Sequence, residues 1–255
     1  MLGPLIAAGL LWQLPALVEP RETYALAFWL TLIPGLGAAL TFALLVREQR
    51  FAPKPGLRLG ASLAAMPRGY RRFLVGVGVF GLGDFSHTLL ILAATAHLTS
   101  EAIPAAVLAI LLYAWRNFVQ ALAAFPAGWL GDRLGHRPVL LAGYALASLA
   151  IGGFAWLIPN APDWLAGWIV LFALAGVYMA IQESLEPAIV AELVPDKALH
   201  GTAYGALAAV NGFGDVGASL MVGWLVLSFG WSAGLLYAAA MMLAGTAALA
   251  MMLRK

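Results

Sequence analysis

Eight apolar stretches run through the chain, at roughly residues 2–18, 24–46, 72–98, 104–127, 138–158, 164–186, 201–228 and 232–252. Most approach or exceed the roughly 20 residues a helix needs to cross the hydrocarbon core of a bilayer. Lipid offers no partner to backbone N–H and C=O groups, so segments this apolar cross it as helices or as closed barrels. The alternating period of a barrel strand is absent, which leaves helices. The first stretch is short, but "MLGPLIAAGLLWQLPALVEP" has no basic residue ahead of its apolar run. It therefore reads as a spanning segment and not as a signal peptide. The expected fold is an all-α integral membrane protein, a polytopic bundle of about eight transmembrane helices.

Composition excludes a soluble alternative. The 255 residues are 63% hydrophobic and 10% charged, whereas a soluble domain is about 25% charged and uses those charges to coat its exterior. The absence of cysteine excludes a disulfide framework and thiolate metal sites. A net charge of +2 gives no footing for a nucleic-acid partner. The partner read from composition is the lipid bilayer.

Lysine and arginine gather in cytoplasmic links and so set orientation. Arg47, Arg50, Lys54, Arg58, Arg68, Arg71 and Arg72 fall in one link, Arg133 and Arg137 in another, Lys197 in a third, and Arg254 and Lys255 in the tail. The alternate links hold only Arg21. This asymmetry predicts a multi-pass protein of the cell (inner) membrane with both termini of this chain cytoplasmic. The long basic link separates residues 1–46 from residues 72–255. Residues 47–71 are read either as a helix lying along anionic headgroups or as a solvated tether.

Three charges fall near the middle of apolar stretches: Asp84, Arg116 and Asp215. A charge at the bilayer centre costs about 2.5–3.5 kcal/mol on insertion scales, so such residues face a protein interior or a water-filled path. Helical spacing gives each of them polar company. Asp84 is grouped with His87 and Thr88, Arg116 with Gln120 and the adjoining Tyr113 and Asn117, and Asp215 with Asn211 and Tyr204. Polar stripes on three helices predict a shared cavity. Two readings stay open. One acid pairs with Arg116 and locks two helices together, or two acids against one arginine leave a carboxylate without a cation. Burial disfavours the charged form of a carboxylate, so the second reading supplies a proton carrier, expected at Asp84 with Asp215 nearer Arg116. Gln182, Glu183 and Glu186 lie towards the cytoplasmic end of their stretch. The two glutamates either latch onto Arg133 or Arg137 or sit in water at a helix end.

Other patterns carry no chemistry. "GVGVFG", residues 76–81, matches G-x-G-x-x-G but lies inside an apolar stretch. The dinucleotide reading requires a preceding strand, so small residues that allow close helix packing explain it better. No P-loop occurs, and the histidines at 87, 97, 136 and 200 lack ligand spacing. No catalytic pair is present. The expectation is therefore a protein that is not an enzyme and uses no cofactor and no metal.

"GWLGDRLGHRP", residues 128–138, resembles the signature loop of the major facilitator superfamily at Gly128, Leu130, Asp132, Arg133, Gly135 and Arg137, with His136 where arginine is common. "AELVPDKALHGTAYG", residues 191–205, resembles the family's loop between helices 10 and 11, and "GLGDFSHTLLIL", residues 81–92, resembles helix 7 of a bacterial permease subgroup. Gly3-Pro4 is similar to the end of the glycine–proline motif in helix 5 of proton-driven exporters. The resemblance implies helices 5 to 12 of a 12-helix permease. Residues 1–46 would be the last two helices of the N-terminal half, 47–71 the central cytoplasmic loop, and 72–255 the C-terminal six-helix half.

The family transports by rocking two six-helix halves about a site at their interface. The resemblance thus implies secondary active transport of a small molecule by alternating access, with H+ as the coupling partner and efflux as one direction. Stretches 72–98 and 164–186 would line the cavity, with Asp84, Gln182 and Glu183 towards substrate or proton. In the family, an aspartate at the place of Asp132 latches onto helix ends of the opposite half, and here it would point to the start of helix 5. Gly128, Arg133, Gly135, Arg137 and Glu186 join Asp132 in this gate. Gly131 and Gly135 are expected to permit a tight reversal, and Pro138 suits the first turn of the next helix. The missing N-terminal helices are expected from a longer parent protein, and a truncated gene or partial sequence fits better than a working eight-helix protein. The alternative is a non-transporting membrane protein, inert or completed by a partner that supplies those helices.

Overall fold

The computed structural model describes Ile6, Gly9 and residues 20–45, 66–98 and 103–253. Among the described residues the regular elements are all helical, as apolar runs without a strand period require. The chain divides into two units, Met1–Leu57 and Arg58–Lys255. In the first, helix α1 covers Pro20–Leu45 and exposes Trp29, Ile33, Phe42 and Leu44. The expected span at 2–18 lies outside the described residues apart from Ile6 and Gly9.

The second unit contains α2 (Arg68–Gly81), α3 (Thr88–His97), α4 (Ala105–Leu134), α5 (His136–Asn160), α6 (Leu165–Leu193), a 3-10 turn (Lys197–Leu199), α7 (His200–Phe229) and α8 (Trp231–Leu253). Five helices, α4 to α8, are long and apolar enough to cross a membrane. At about 1.5 Å per residue, the 30 residues of α4 span about 45 Å. That exceeds a core of about 30 Å, and the charged last turn of α4 can leave the lipid.

Neighbours run α4–α6, α6–α5, α5–α8, α8–α2 and α2–α7, with α3 on α4 and α7 also on α8. Lipid tails are as apolar as the side chains, so association rests on close packing and hydrogen bonds. The interior supplies both. Phe80 of α2 stacks on Tyr144 of α5 with ring centroids 3.7 Å apart, and Phe154, Trp168 and Phe172 form an aromatic cluster between α5 and α6. Tyr70 is fully buried and donates to the Ala203 carbonyl of α7 at 2.8 Å. The glycines of "GVGVFG" lie on α2, where a Cβ on Gly76 would sit 2.9 Å from Leu249 of α8 and one on Gly81 would meet the Gly214 backbone of α7 at 3.4 Å. Close helix packing accounts for the motif.

Two features depart from the sequence reading. The stretch 72–98 is not one helix, because α2 ends at Gly81 and α3 begins at Thr88. Between them the backbone makes short-range bonds, Gly83 N–H to Phe80 O at 2.9 Å and Asp84 N–H to Gly81 O at 3.1 Å. Gly83 presses against α8, where a Cβ would lie 2.3 Å from the Ala238 carbonyl. Irregular backbone at membrane depth is tolerated where it is buried in protein or lines a cavity, and both conditions apply here. Hydropathy alone reads straight through such a break.

The second departure is the charged link. Helix α4 continues through Asp132 and Arg133 to Leu134, and α5 starts at His136, so Gly135 alone separates them. Its φ of +93° lets the chain reverse within one residue. Gly131 is helical, and its role is packing: a Cβ there would lie 2.7 Å from Leu185 of α6.

Candidate functional site

A cavity of about 460 Å³ opens within the second unit, lined by Asp84, Phe85, Ser86, His87, Thr88, Tyr113, Arg116, Met179, Gln182, Glu183, Asn211 and Asp215. The α2–α3 break supplies one wall, α4 another, and α6 and α7 the remainder. The break matters because it turns consecutive residues inward. Asp84, Phe85, Ser86, His87 and Thr88 all line the cavity, which one face of a regular helix cannot arrange.

Several of the polar groups are held in place from a neighbouring element. Gln182 of α6 donates from Nε2 to Asp84 Oδ2 at 3.0 Å. His87 Nε2 and the Tyr178 hydroxyl lie 2.7 Å apart. The Ser86 amide donates to Ser219 Oγ of α7 at 2.9 Å, and the Ser86 and Thr88 hydroxyls are 2.7 Å apart. Gln120 of α4 donates from Nε2 to Glu183 Oε2 at 2.7 Å. Asp84 and Gln182 are buried, at 7% and 8% exposure, as is Arg116 at 4%, so the bond between Gln182 and Asp84 forms in a low-dielectric setting where a missing partner is costly.

Of the two sequence readings of this cluster, the one in which an acid pairs with Arg116 and locks two helices together is not what the structure shows. Among the described residues Arg116 forms no ion pair. Arg116 instead donates from Nη1 to the neighbouring Asn117 Oδ1 at 2.8 Å, and its guanidinium lies 5.6 Å from the centre of the Tyr113 ring. Its Nε is buried without a partner, as is Gln182 Oε1. Asn117 thus reaches the site through Arg116, while Asn211 and Asp215 line the cavity directly. Tyr204, expected beside Asp215, is outside the lining set and packs edge-on against His200.

Glu186 also differs from expectation. It neither latches onto Arg133 or Arg137 nor sits in water, since only 2% of it is exposed. The Tyr144 hydroxyl donates to Oε1 at 2.5 Å and Asn211 Nδ2 donates to Oε2 at 2.7 Å. Glu186 therefore ties α5, α6 and α7 together behind the cavity. Its position three residues after Glu183 puts it on a similar side of α6 but deeper in the bundle. Tyr144, Tyr178 and Ser219 escape sequence reading because single hydroxyls inside apolar stretches are commonplace.

At the α4–α5 junction, His136 bridges two acids, with Nδ1 2.5 Å from Glu192 Oε1 and Nε2 3.2 Å from Asp132 Oδ1. The Arg133 guanidinium lies over the Trp129 ring at 4.1 Å. Gly128 lies in α4 with nothing within 4 Å of a would-be Cβ, and Arg137 lies in the first turn of α5. The candidate gate residues other than Glu186 are thus gathered at one helix junction, about the surface of the bundle. Glu192, near the end of α6, is a partner that the motif itself does not reveal.

The comparisons with known proteins agree with this architecture. The Major Facilitator Superfamily profile matches residues 73–255. An uncharacterized MFS-type transporter of Methanocaldococcus jannaschii is 29% identical over 198 residues, covering 77% of this chain and 46% of that protein. An uncharacterized protein of Mycobacterium tuberculosis is 31% identical over 242 residues, covering 88% of this chain and 52% of that protein. The chain thus spans about half the length of these curated relatives. A family match over most of the chain, a bundle of apolar helices and a polar cavity inside it lead to one conclusion: this multi-pass membrane protein belongs to the Major Facilitator Superfamily.

Proposed function

We propose that the chain serves secondary active transport of a small molecule by alternating access, with protons moving through the cavity beside the α2–α3 break. The observation that carries this reading is the gathering of opposite charges around a 460 Å³ space inside an apolar bundle. Intramembrane ionisable groups that face a cavity mark substrate or ion pathways. The relative described as an MFS-type transporter supports the same activity class.

Asp84 is the proton carrier in this reading. It is buried, lies on non-helical backbone and is held by an amide, Gln182, at 3.0 Å. An amide donor tolerates both the ionised and the protonated carboxyl, because one carboxyl oxygen still accepts in either state. A partner cation would oppose proton uptake, and among the described residues Asp84 has none within ion-pair distance. His87, fixed by Tyr178, and Glu183, fixed by Gln120, flank the path. In this reading the basic link that ends where α2 begins, at Arg68, is cytoplasmic, and the termini of this chain face the cytoplasm of a cell whose inner membrane holds the protein. At the α4–α5 junction, Asp132, His136 and Glu192 form a closed cluster whose rearrangement accompanies gating.

The test uses the protein with all the sequence its gene encodes, reconstituted in vesicles under an imposed pH gradient. Asp84→Asn is expected to abolish gradient-driven accumulation of substrate. Unchanged accumulation by the variant would sink the assignment of Asp84.

A further inference from the structure

We propose that the ligand of the cavity is a small zwitterion, its anionic group received by Arg116 and its cationic group by Asp215; this rests on reading the cavity as the transport site. Four acids stand at or behind the cavity, and three are already held by donors: Asp84 by Gln182, Glu183 by Gln120, and Glu186 by Tyr144 and Asn211. Asp215 differs. It is exposed, it lines the cavity, and among the described residues it has neither a hydrogen bond nor an ion pair.

Arg116 is its opposite in charge and burial. The guanidinium presents five N–H donors in a planar fork. Only one hydrogen bond is made from that fork, to Asn117, and Nε is buried without a partner. Among the described residues no carboxylate lies within 4.0 Å of it. A buried cation without a counter-charge is strongly disfavoured, so the anion that completes this site comes from the ligand. The planar fork suits a carboxylate in bidentate geometry.

Arg116 and Asp215 share one cavity but do not pair with each other. A molecule carrying both signs satisfies both groups at once. A simple anion would leave Asp215 without a partner, and a simple cation would leave Arg116 without one and add a second positive charge to its cavity. A volume of 460 Å³ falls in the range of small-molecule sites, about 300–1,000 Å³, and accommodates a molecule of amino-acid size.

The experiment is ligand-induced thermal stabilisation of the full-length protein in detergent. The probes are the standard amino acids and glycine betaine, the amines left when their carboxyl is removed, and the acids left when their amine is removed. At least one zwitterion is expected to raise the unfolding midpoint at a concentration at least tenfold below that required of either single-charge counterpart. Arg116→Gln should erase the preference over the amine, and Asp215→Asn should erase the preference over the acid. Asp215 is exposed, so its variant reads out the cationic subsite even if Arg116→Gln does not fold. The proposal is overturned if no zwitterion stabilises the protein, if single-charge analogues act equally well, or if Asp215→Asn keeps its preference over the acid. Detergent carries no gradient, so this result stands apart from transport. Zwitterion binding without driven accumulation counts against the transport reading alone, and driven accumulation without zwitterion binding counts against this inference alone.

Discussion

At the residue scale, the charges that stand out in apolar sequence are those that surround the cavity. Asp84, Arg116 and Asp215 are legible because each interrupts a long run of aliphatic residues, and charge in such a run requires a protein or water-filled surrounding. Their partners are not legible. Tyr144 and Tyr178 look like ordinary membrane aromatics until the fold brings them to Glu186 and His87. Glu186 reads as a helix-end acid only because the sequence does not reveal how far α6 continues, and α6 runs to Leu193. Its burial has a consequence for stability. Glu186→Ala strands the Tyr144 hydroxyl and the Asn211 amide without their acceptor, and each buried unsatisfied group costs about 1–3 kcal/mol. Glu186→Gln keeps one carbonyl acceptor and is expected to cost less. Thermal unfolding in detergent should rank wild type above Gln and Gln above Ala; equal midpoints would show that the network contributes nothing.

At the element scale, the approximate positions of the described helices followed from the apolar runs, while helix ends and the break in residues 82–87 did not. Hydropathy averages over many residues and does not report where the backbone leaves the helix. The break depends on contact with α8 at Gly83, a tertiary fact. Helix crossings show the same dependence. A Cβ on Gly176 of α6 would lie 2.5 Å from the Arg116 carbonyl of α4, so the two helices meet at the level of Arg116. Gly176→Val must separate them, and overpacking of this kind costs about 1–3 kcal/mol. A fall in the unfolding midpoint is expected, together with loss of any ligand stabilisation that depends on Arg116. A variant as stable as wild type would contradict the close crossing.

At the scale of the whole molecule, the family and the helical bundle were legible because both follow from composition, segment length and one charged motif. The cavity shape was not, since it depends on which faces of α4, α6 and α7 turn towards the break. The absence of cysteine makes the molecule well suited to single-cysteine labelling. Asp132 and Asn160 are exposed near opposite ends of α4 and α5. With the basic links cytoplasmic, Asp132→Cys should react with an impermeant thiol reagent in inside-out vesicles and Asn160→Cys in right-side-out ones. The reverse pattern would invert the orientation.

The most direct measurement concerns the cavity itself. Thr88 faces it and is exposed there, whereas Leu122 of α4 is 61% exposed and lies outside the cavity lining. In the full-length protein held in lipid vesicles, Thr88→Cys is expected to react with a water-soluble maleimide while Leu122→Cys, at helical spacing from exposed Phe118 and Phe125, stays inert. An inert Thr88→Cys, or equal labelling at both positions, would contradict a water-filled path through the bundle.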